Sequence, residues 1–197
     1  ARALTLDVTE DAALISAIET VARDEGRLDI LHSHAGVQIE GKLEQVAVAE
    51  MDLSWQLNVR SHFVAAKAAL APMRRQGAGS VIITSSNSGV QYDREMIAYA
   101  TTKHAVLAMT RQMAADYARE NIRFNALCPG FIDTPFNHGF EVQMGGRDNL
   151  EAYVRDAIPM GRFGTVEEIA EAIVFLASDR SSFMTGHAFV VDGGECI

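Results

Sequence analysis

Two side chains able to move a proton stand four residues apart in AYATTKHAV, residues 98–106: the phenol of Tyr99 and the ammonium of Lys103. On a helix, positions i and i+4 sit one above the other on a single face. A tyrosine ordinarily holds its proton until about pH 10, and an ammonium within about 4–6 Å favours the phenolate. The spacing therefore predicts a Tyr99 of depressed pKa that exchanges a proton with a substrate alcohol or carbonyl. Ser86 comes 13 positions earlier, at the end of the apolar run SVIITSS, where its hydroxyl can hydrogen-bond the same oxygen and orient it. A Tyr and a Lys four apart occur on many helices without consequence, so the reading rests on the residues around them.

Short β-type runs alternate with longer stretches of helical period. ALTLDV (3–8) is followed by a helical stretch over 11–25, LDILHS (28–33), a helix over about 47–75 and SVIITSS (80–86). A helix near 97–119, IRFNALC (122–128), a helix near 166–178 and HAFVVDG (187–193) complete the order. Strands apolar enough to be covered on both faces, alternating with helices, predict an α/β fold: a doubly wound parallel sheet of Rossmann type in a single domain over 1–197. In such sheets ligands bind outside the carboxyl ends of the strands. His34, Gly36, Ser86 and Thr134 fall at those ends, and Tyr99 and Lys103 open the helix after the Ser86 strand. Thr165 with Glu168 three residues on is a capping box for VEEIAEAIVFLAS. The poorly periodic stretch 131–160 is long for a connection in a compact domain and reads as a substrate lid.

A net charge of −9 with no run of Lys or Arg argues against nucleic acid or an anionic membrane surface as partner and favours a small molecule. No apolar run approaches the roughly 18–20 residues that span a bilayer, and the N-terminus lacks the order of a signal peptide. Cys128 and Cys196 are the only cysteines, without CxxC or Cys/His zinc spacing, which points to a reducing, cytoplasmic setting. His32, His34, His62, His104, His138 and His187 are scattered and share no face with carboxylates, so no metal is expected.

SSNSG…AYATTK with Ser86, Tyr99 and Lys103, preceded by LNVRS with Asn58, resembles the catalytic tetrad of the classical short-chain dehydrogenase/reductase family. The intervals, 28 positions from Asn to Ser and 13 from Ser to Tyr, are those usual in the family. The likeness continues through LDV (6–8), LDIL…AG (28–36), IRFNALCPGFIDTPF (122–136), GRFGTVEEIA (161–170) and TGHAFVVDGG (185–194), over essentially the whole chain. The resemblance implies an NAD(P)-dependent oxidoreductase that interconverts a secondary alcohol and a ketone, with NAD or NADP left open. By it, Tyr99 is the acid/base, Lys103 lowers its pKa and holds the nicotinamide ribose, Ser86 positions the substrate oxygen, and Asn58 keeps a water in a proton relay. Asp7 and Val8 would contact the adenine end; His34, Ala35 and Gly36 would line the cofactor cleft; Pro129, Gly130, Ile132 and Thr134 would meet the nicotinamide carboxamide. It also implies that the helices over 47–75 and 97–119 pair across a twofold axis in a homotetramer or homodimer, with Val59, Phe63, Val64, Val106 and Met109 as apolar residues to spare.

Two features depart from the family pattern. SHAG (33–36) replaces the family's NNAG; Ser33 can make one of an asparagine's hydrogen bonds, and His34 either steadies the turn or tunes cofactor binding with pH. The chain also opens at the family's third strand, with no glycine-rich TGxxxGxG turn, its first glycine being Gly26. About one βαβ unit, some 30 residues, is therefore expected to be missing, including the helix N-terminus that holds a pyrophosphate and the residue that selects NAD or NADP. Residues 3–8 would then lack a neighbour on their inner side, and the alternative reading is a truncated or non-enzymatic relative unable to bind a dinucleotide. The substrate pocket is expected from positions 87–97 and the 131–160 lid, which offer Gln91, Tyr92, Arg94, Asn137, His138 and Arg147, suited to a polyol, a sugar or a hydroxy acid.

Overall fold

The computed structural model describes residues 2–197. Four strands, β1 (Ile30–Ser33), β2 (Gly79–Thr84), β3 (Ile122–Pro129) and β4 (Ala188–Val191), form one parallel sheet in the order β1-β2-β3-β4. Seven helices connect or flank them: α1 (Asp11–Asp24), α2 (Val48–Trp55), α3 (Ser61–Gln76), α4 (Ile97–Tyr117), α5 (His138–Gln143), α6 (Arg147–Ala157) and α7 (Val166–Ala177).

Period-two alternation divides the central strands between two cores. Val81, Ile83, Ile122 and Phe124 pack on one face with Ala22 of α1, Ala66, Ala69 and Met73 of α3, and Val106 and Ala114 of α4. Ile82 and Leu127 point the other way and meet Ile169, Ala172 and Leu176 of α7. Helices on both faces of a parallel sheet are what the continuously apolar strands predict. The α7 start is also as read: Thr165 Oγ1 accepts from the Glu168 amide at 3.2 Å while Glu168 Oε2 accepts from the Thr165 amide at 2.9 Å.

Three expectations need correction. Residues 3–8 form no strand. Strand backbone is stable only when its N–H and C=O groups find a ladder partner, and among the described residues none lies beside this segment, so β1 is the sheet edge. The helix expected over 47–75 is α2 and α3 joined by one π turn, Gln56–Arg60, which inserts an extra residue into the helix and holds Asn58 fully buried. Of the apolar residues expected to be spare for association, Val59, Val64 and Val106 are consumed by the chain's own core; Phe63 is exposed, and Leu53, Trp55 and Ile97 join it on the outer surface.

The stretch 131–160 is helical and well packed. Phe131 sits edge-on to Phe140 and Tyr153, with ring centroids 4.8 and 5.7 Å away, over a cluster of Leu150, Val154 and Ile158. Arg147 bonds Asp133 at 2.9 Å, Glu151 at 2.8 Å and Glu141 at 3.2 Å, with its guanidinium over the Phe163 ring. No helix is long and apolar enough to cross a membrane among the described residues.

Candidate active site

A cavity of about 760 Å³ opens at the carboxyl ends of β1, β2 and β3, beneath α5 and α6. His34, Ala35, Gly36, Ser86, Tyr99, Lys103, Pro129, Gly130, Ile132 and Thr134 all line it. Asn58 lies just behind its wall. A Cβ placed on Gly36 would come 3.0 Å from Asn58 Oδ1 and 3.5 Å from Lys103 Nζ, so a side chain there would crowd Asn58. The same holds at Gly130, where a Cβ would meet the Asp192 backbone at 2.8 Å.

Asn58 is held from all sides. Its Oδ1 accepts from the Val37 amide at 2.7 Å, and its Nδ2 donates to the Val37 carbonyl at 2.9 Å and to Thr102 Oγ1 at 3.0 Å. Thr102 lies on α4 between Tyr99 and Lys103, so this bond ties the π turn to the helix carrying the phenol and the ammonium. Lys103 Nζ donates to the Thr84 carbonyl at 3.0 Å. An ammonium has three donors, and this is its one hydrogen bond among the described residues.

The expected depression of the Tyr99 pKa is overturned. Burial pushes the phenol up to about 12, and hydrogen bonding with Ser86 offsets only part of that. The Lys103 ammonium lies 5.5 Å from the centre of the Tyr99 ring and donates to the Thr84 carbonyl. Burial lowers Lys103 itself to about 8. Both shifts leave the phenol and the ammonium mainly protonated at pH 7.

His32, His34 and His62, read as scattered, gather around this corner. His32 and His34 each hydrogen-bond Thr84 Oγ1, at 2.9 and 3.0 Å, and Ser33 Oγ meets His62 Nδ1 at 2.7 Å. Burial first, then neighbouring charge, holds all three below the ordinary imidazole range, His32 near 4 and His62 near 3. The described residues contain no group of three or more His, Cys, Asp or Glu placed to hold a metal.

Asp7 and Val8 do not reach the cavity; the Asp7 carboxylate is engaged by the Thr9 amide and hydroxyl at 2.9 and 2.8 Å. Tyr92, Arg94 and Asn137 line it as expected, whereas Gln91, His138 and Arg147 do not. Asn87, Asp93 and Tyr153 line it from within the expected ranges 87–97 and 131–160 without having been singled out, and Glu195 lies outside both ranges. Asn87 had a usable signal in its position next to Ser86. Glu195 had none, because it returns to the cavity through the turn after β4, where Asp192 accepts from the Gly194 and Cys196 amides.

A phenol, a hydroxyl and an ammonium gathered where a parallel sheet binds its ligands can move a proton at a carbinol oxygen, which places the chain among the α/β oxidoreductases. A family model described as enoyl-(acyl carrier protein) reductase matches residues 1–195. The chain is 39% identical over 197 residues to 2-(S)-hydroxypropyl-CoM dehydrogenase 3 of Xanthobacter autotrophicus, covering 98% of this chain and 76% of that protein. It is also 39% identical over 191 residues to the inactive 2-(S)-hydroxypropyl-CoM dehydrogenase 2 of the same organism, covering 95% and 82%. The solved structure of ElxO with NADP bound aligns with a TM-score of 0.89 at 30% identity over 98% of this chain and 77% of that one. The chain belongs to the short-chain dehydrogenase/reductase family of NAD(P)-dependent enzymes.

Proposed function

We propose that the protein interconverts a secondary alcohol and a ketone with NAD or NADP. The observation that carries this reading is the buried Tyr99 beside Lys103 and Ser86 at the floor of the cavity. A nicotinamide cofactor supplies the hydride, which no side chain can. In reduction Tyr99 would give its phenolic proton to the carbonyl oxygen, and the phenolate left would be reprotonated through Lys103 and Asn58. Ser86 holds the substrate oxygen. Lys103 engages the nicotinamide ribose, His34, Ala35 and Gly36 line the cofactor's side, and Pro129, Gly130, Ile132 and Thr134 face the carboxamide. Asp7 and Val8, outside the cavity, are assigned to the adenine end on the family resemblance alone.

Residues 131–160 act as the substrate lid, with Phe136, Phe140 and Tyr153 against the cavity. A tyrosine, two phenylalanines and a few polar groups suit a medium-sized hydroxylated or aryl ketone. The proposal extends to a cytoplasmic homotetramer or homodimer paired through α2, α3 and α4, where Trp55, Phe63 and Ile97 are exposed; a monomer in light scattering would overturn that part. Likeness to an inactive relative favours a second reading, a family member that does not turn over substrate. The two separate on NADH and NADPH binding by fluorescence, followed by cofactor oxidation with a panel of ketones. Turnover lost in Tyr99→Phe supports the enzyme reading, and cofactor binding without turnover on any ketone supports the second.

A further inference from the structure

Ser86 is the start of a chain of hydrogen bonds that leads across the cavity to the C-terminal segment. Ser86 Oγ donates to Asn87 Oδ1 at 3.0 Å, Asn87 Nδ2 donates to Glu195 Oε2 at 2.8 Å, and the Tyr153 hydroxyl donates to Glu195 Oε1 at 3.1 Å. The orientation of the Asn87 amide is fixed at both ends. Its oxygen also accepts from the Ser88 amide at 2.9 Å, so a flipped side chain would set two donors against each other there, and it would also face the Glu195 carboxylate with an oxygen. Ser86 Oγ accepts from the Ser88 amide at 3.1 Å. With its proton on Asn87 and one lone pair used by the Ser88 amide, the hydroxyl has a second lone pair on the side of Tyr99 and the cavity.

We propose that Glu195 is a positioning residue that acts through Asn87 to set which way the Ser86 hydroxyl proton points. A charged carboxylate pulls on the Asn87 N–H, makes the amide oxygen a stronger acceptor and keeps the Ser86 proton turned to it, because bonds in a chain polarise one another where little solvent intervenes. Ser86 then presents a lone pair, the partner an alcohol O–H needs. A neutral Glu195 relaxes this hold and frees the Ser86 proton for a carbonyl oxygen. Glu195 thereby biases the site between its two substrates, alcohol and ketone. The bias falls within the working pH range, since burial and the nearby Asp93 and Asp192 raise Glu195 to about 7, against the hydrogen bonds from Tyr153 and Asn87. These are the groups that face it: Tyr153 from α6, Asp93 from the segment before α4, and Asp192 and Cys196 from its own turn. Arg94 lines the same cavity.

This inference rests on the role proposed for Ser86, but its test does not require turnover. NMR titration of the Glu195 carboxyl carbon and the Asn87 side-chain amide is expected to show one shared midpoint near pH 7. Glu195→Gln, which keeps the shape and a hydrogen-bonding end, removes the transition from the Asn87 signal. Ser86→Ala, by reciprocity, raises the Glu195 midpoint by on the order of a few tenths of a unit, and Asn87→Ala abolishes that response. An Asn87 amide that does not follow Glu195, or a Glu195 midpoint indifferent to Ser86→Ala, overturns the proposal. With any ketone that turns over, the pH dependence of its KM near 7 disappears in Glu195→Gln. A protein that oxidises no cofactor defeats the enzyme reading instead and leaves the titration legible.

Discussion

Replacing Lys103 with methionine separates what the residue does for chemistry from what it costs the fold. The side chain is 3% exposed, and burial holds its pKa at about 8 rather than 10.5. A gap of about 2.5 units at about 1.4 kcal/mol per unit corresponds to about 3 kcal/mol of destabilisation from burying the ammonium. Methionine fills similar volume without charge but gives up the hydrogen bond to the Thr84 carbonyl, about 1 kcal/mol. The variant is therefore expected to be more stable than the wild type by about 2 kcal/mol at pH 6, a Tm higher by roughly 4–8 °C for a chain of this size, and to lose turnover. The sign with pH follows from proton counting. Between about pH 8 and 10.5 the unfolded lysine is protonated and the folded one is not, so wild-type stability rises with pH across that window while the variant lacks the effect. Urea melts of both proteins from pH 6 to about 10 check this: the variant's advantage shrinks above pH 8. An advantage constant with pH, or a variant several kcal/mol less stable at pH 6, would refute the reasoning.

Further expectations concern the cofactor side, the helix cap and the lid. Gly36→Ala sets a methyl 3.0 Å from Asn58 Oδ1 and 3.5 Å from Lys103 Nζ, and is expected to weaken NADH or NADPH binding by about tenfold or more, read as Kd by fluorescence; unchanged affinity argues against a cofactor wall there. Thr165→Ala removes half of the α7 capping box and costs about 1 kcal/mol in denaturant melts. Arg147→Met releases the contacts to Asp133, Glu141 and Glu151 that join α5 and α6 to the β3 loop. It is expected to raise KM more than it lowers kcat, and an unchanged KM would separate that network from the lid.

The parallel sheet and its helices were legible because period-two and helical patterns are local in sequence, and Tyr99 and Lys103 because they lie one helical turn apart, whereas Asn58 came from the family resemblance alone. Three things were not legible. A strand at 3–8 depends on a neighbour rather than on its own residues, and none lies beside it among the described residues. The tyrosine's pKa is set by how completely the fold removes water, which outweighs an ammonium that the sequence could place on the same face but not aim. Glu195 reaches the cavity through a turn governed by Asp192 and stands 108 positions from Asn87, a separation no spacing argument spans.

The central claim is proton transfer by Tyr99 coupled to hydride transfer from a nicotinamide. Its most direct test is the rate of NADH and NADPH oxidation with a panel of ketones, measured side by side for the wild type and Tyr99→Phe, with the alcohol formed quantified against cofactor consumed. The account predicts equimolar alcohol and oxidised cofactor from the wild type and a loss of at least about a hundredfold in the variant, as expected for removal of a general acid. A Tyr99→Phe protein that retains the wild-type rate would contradict it.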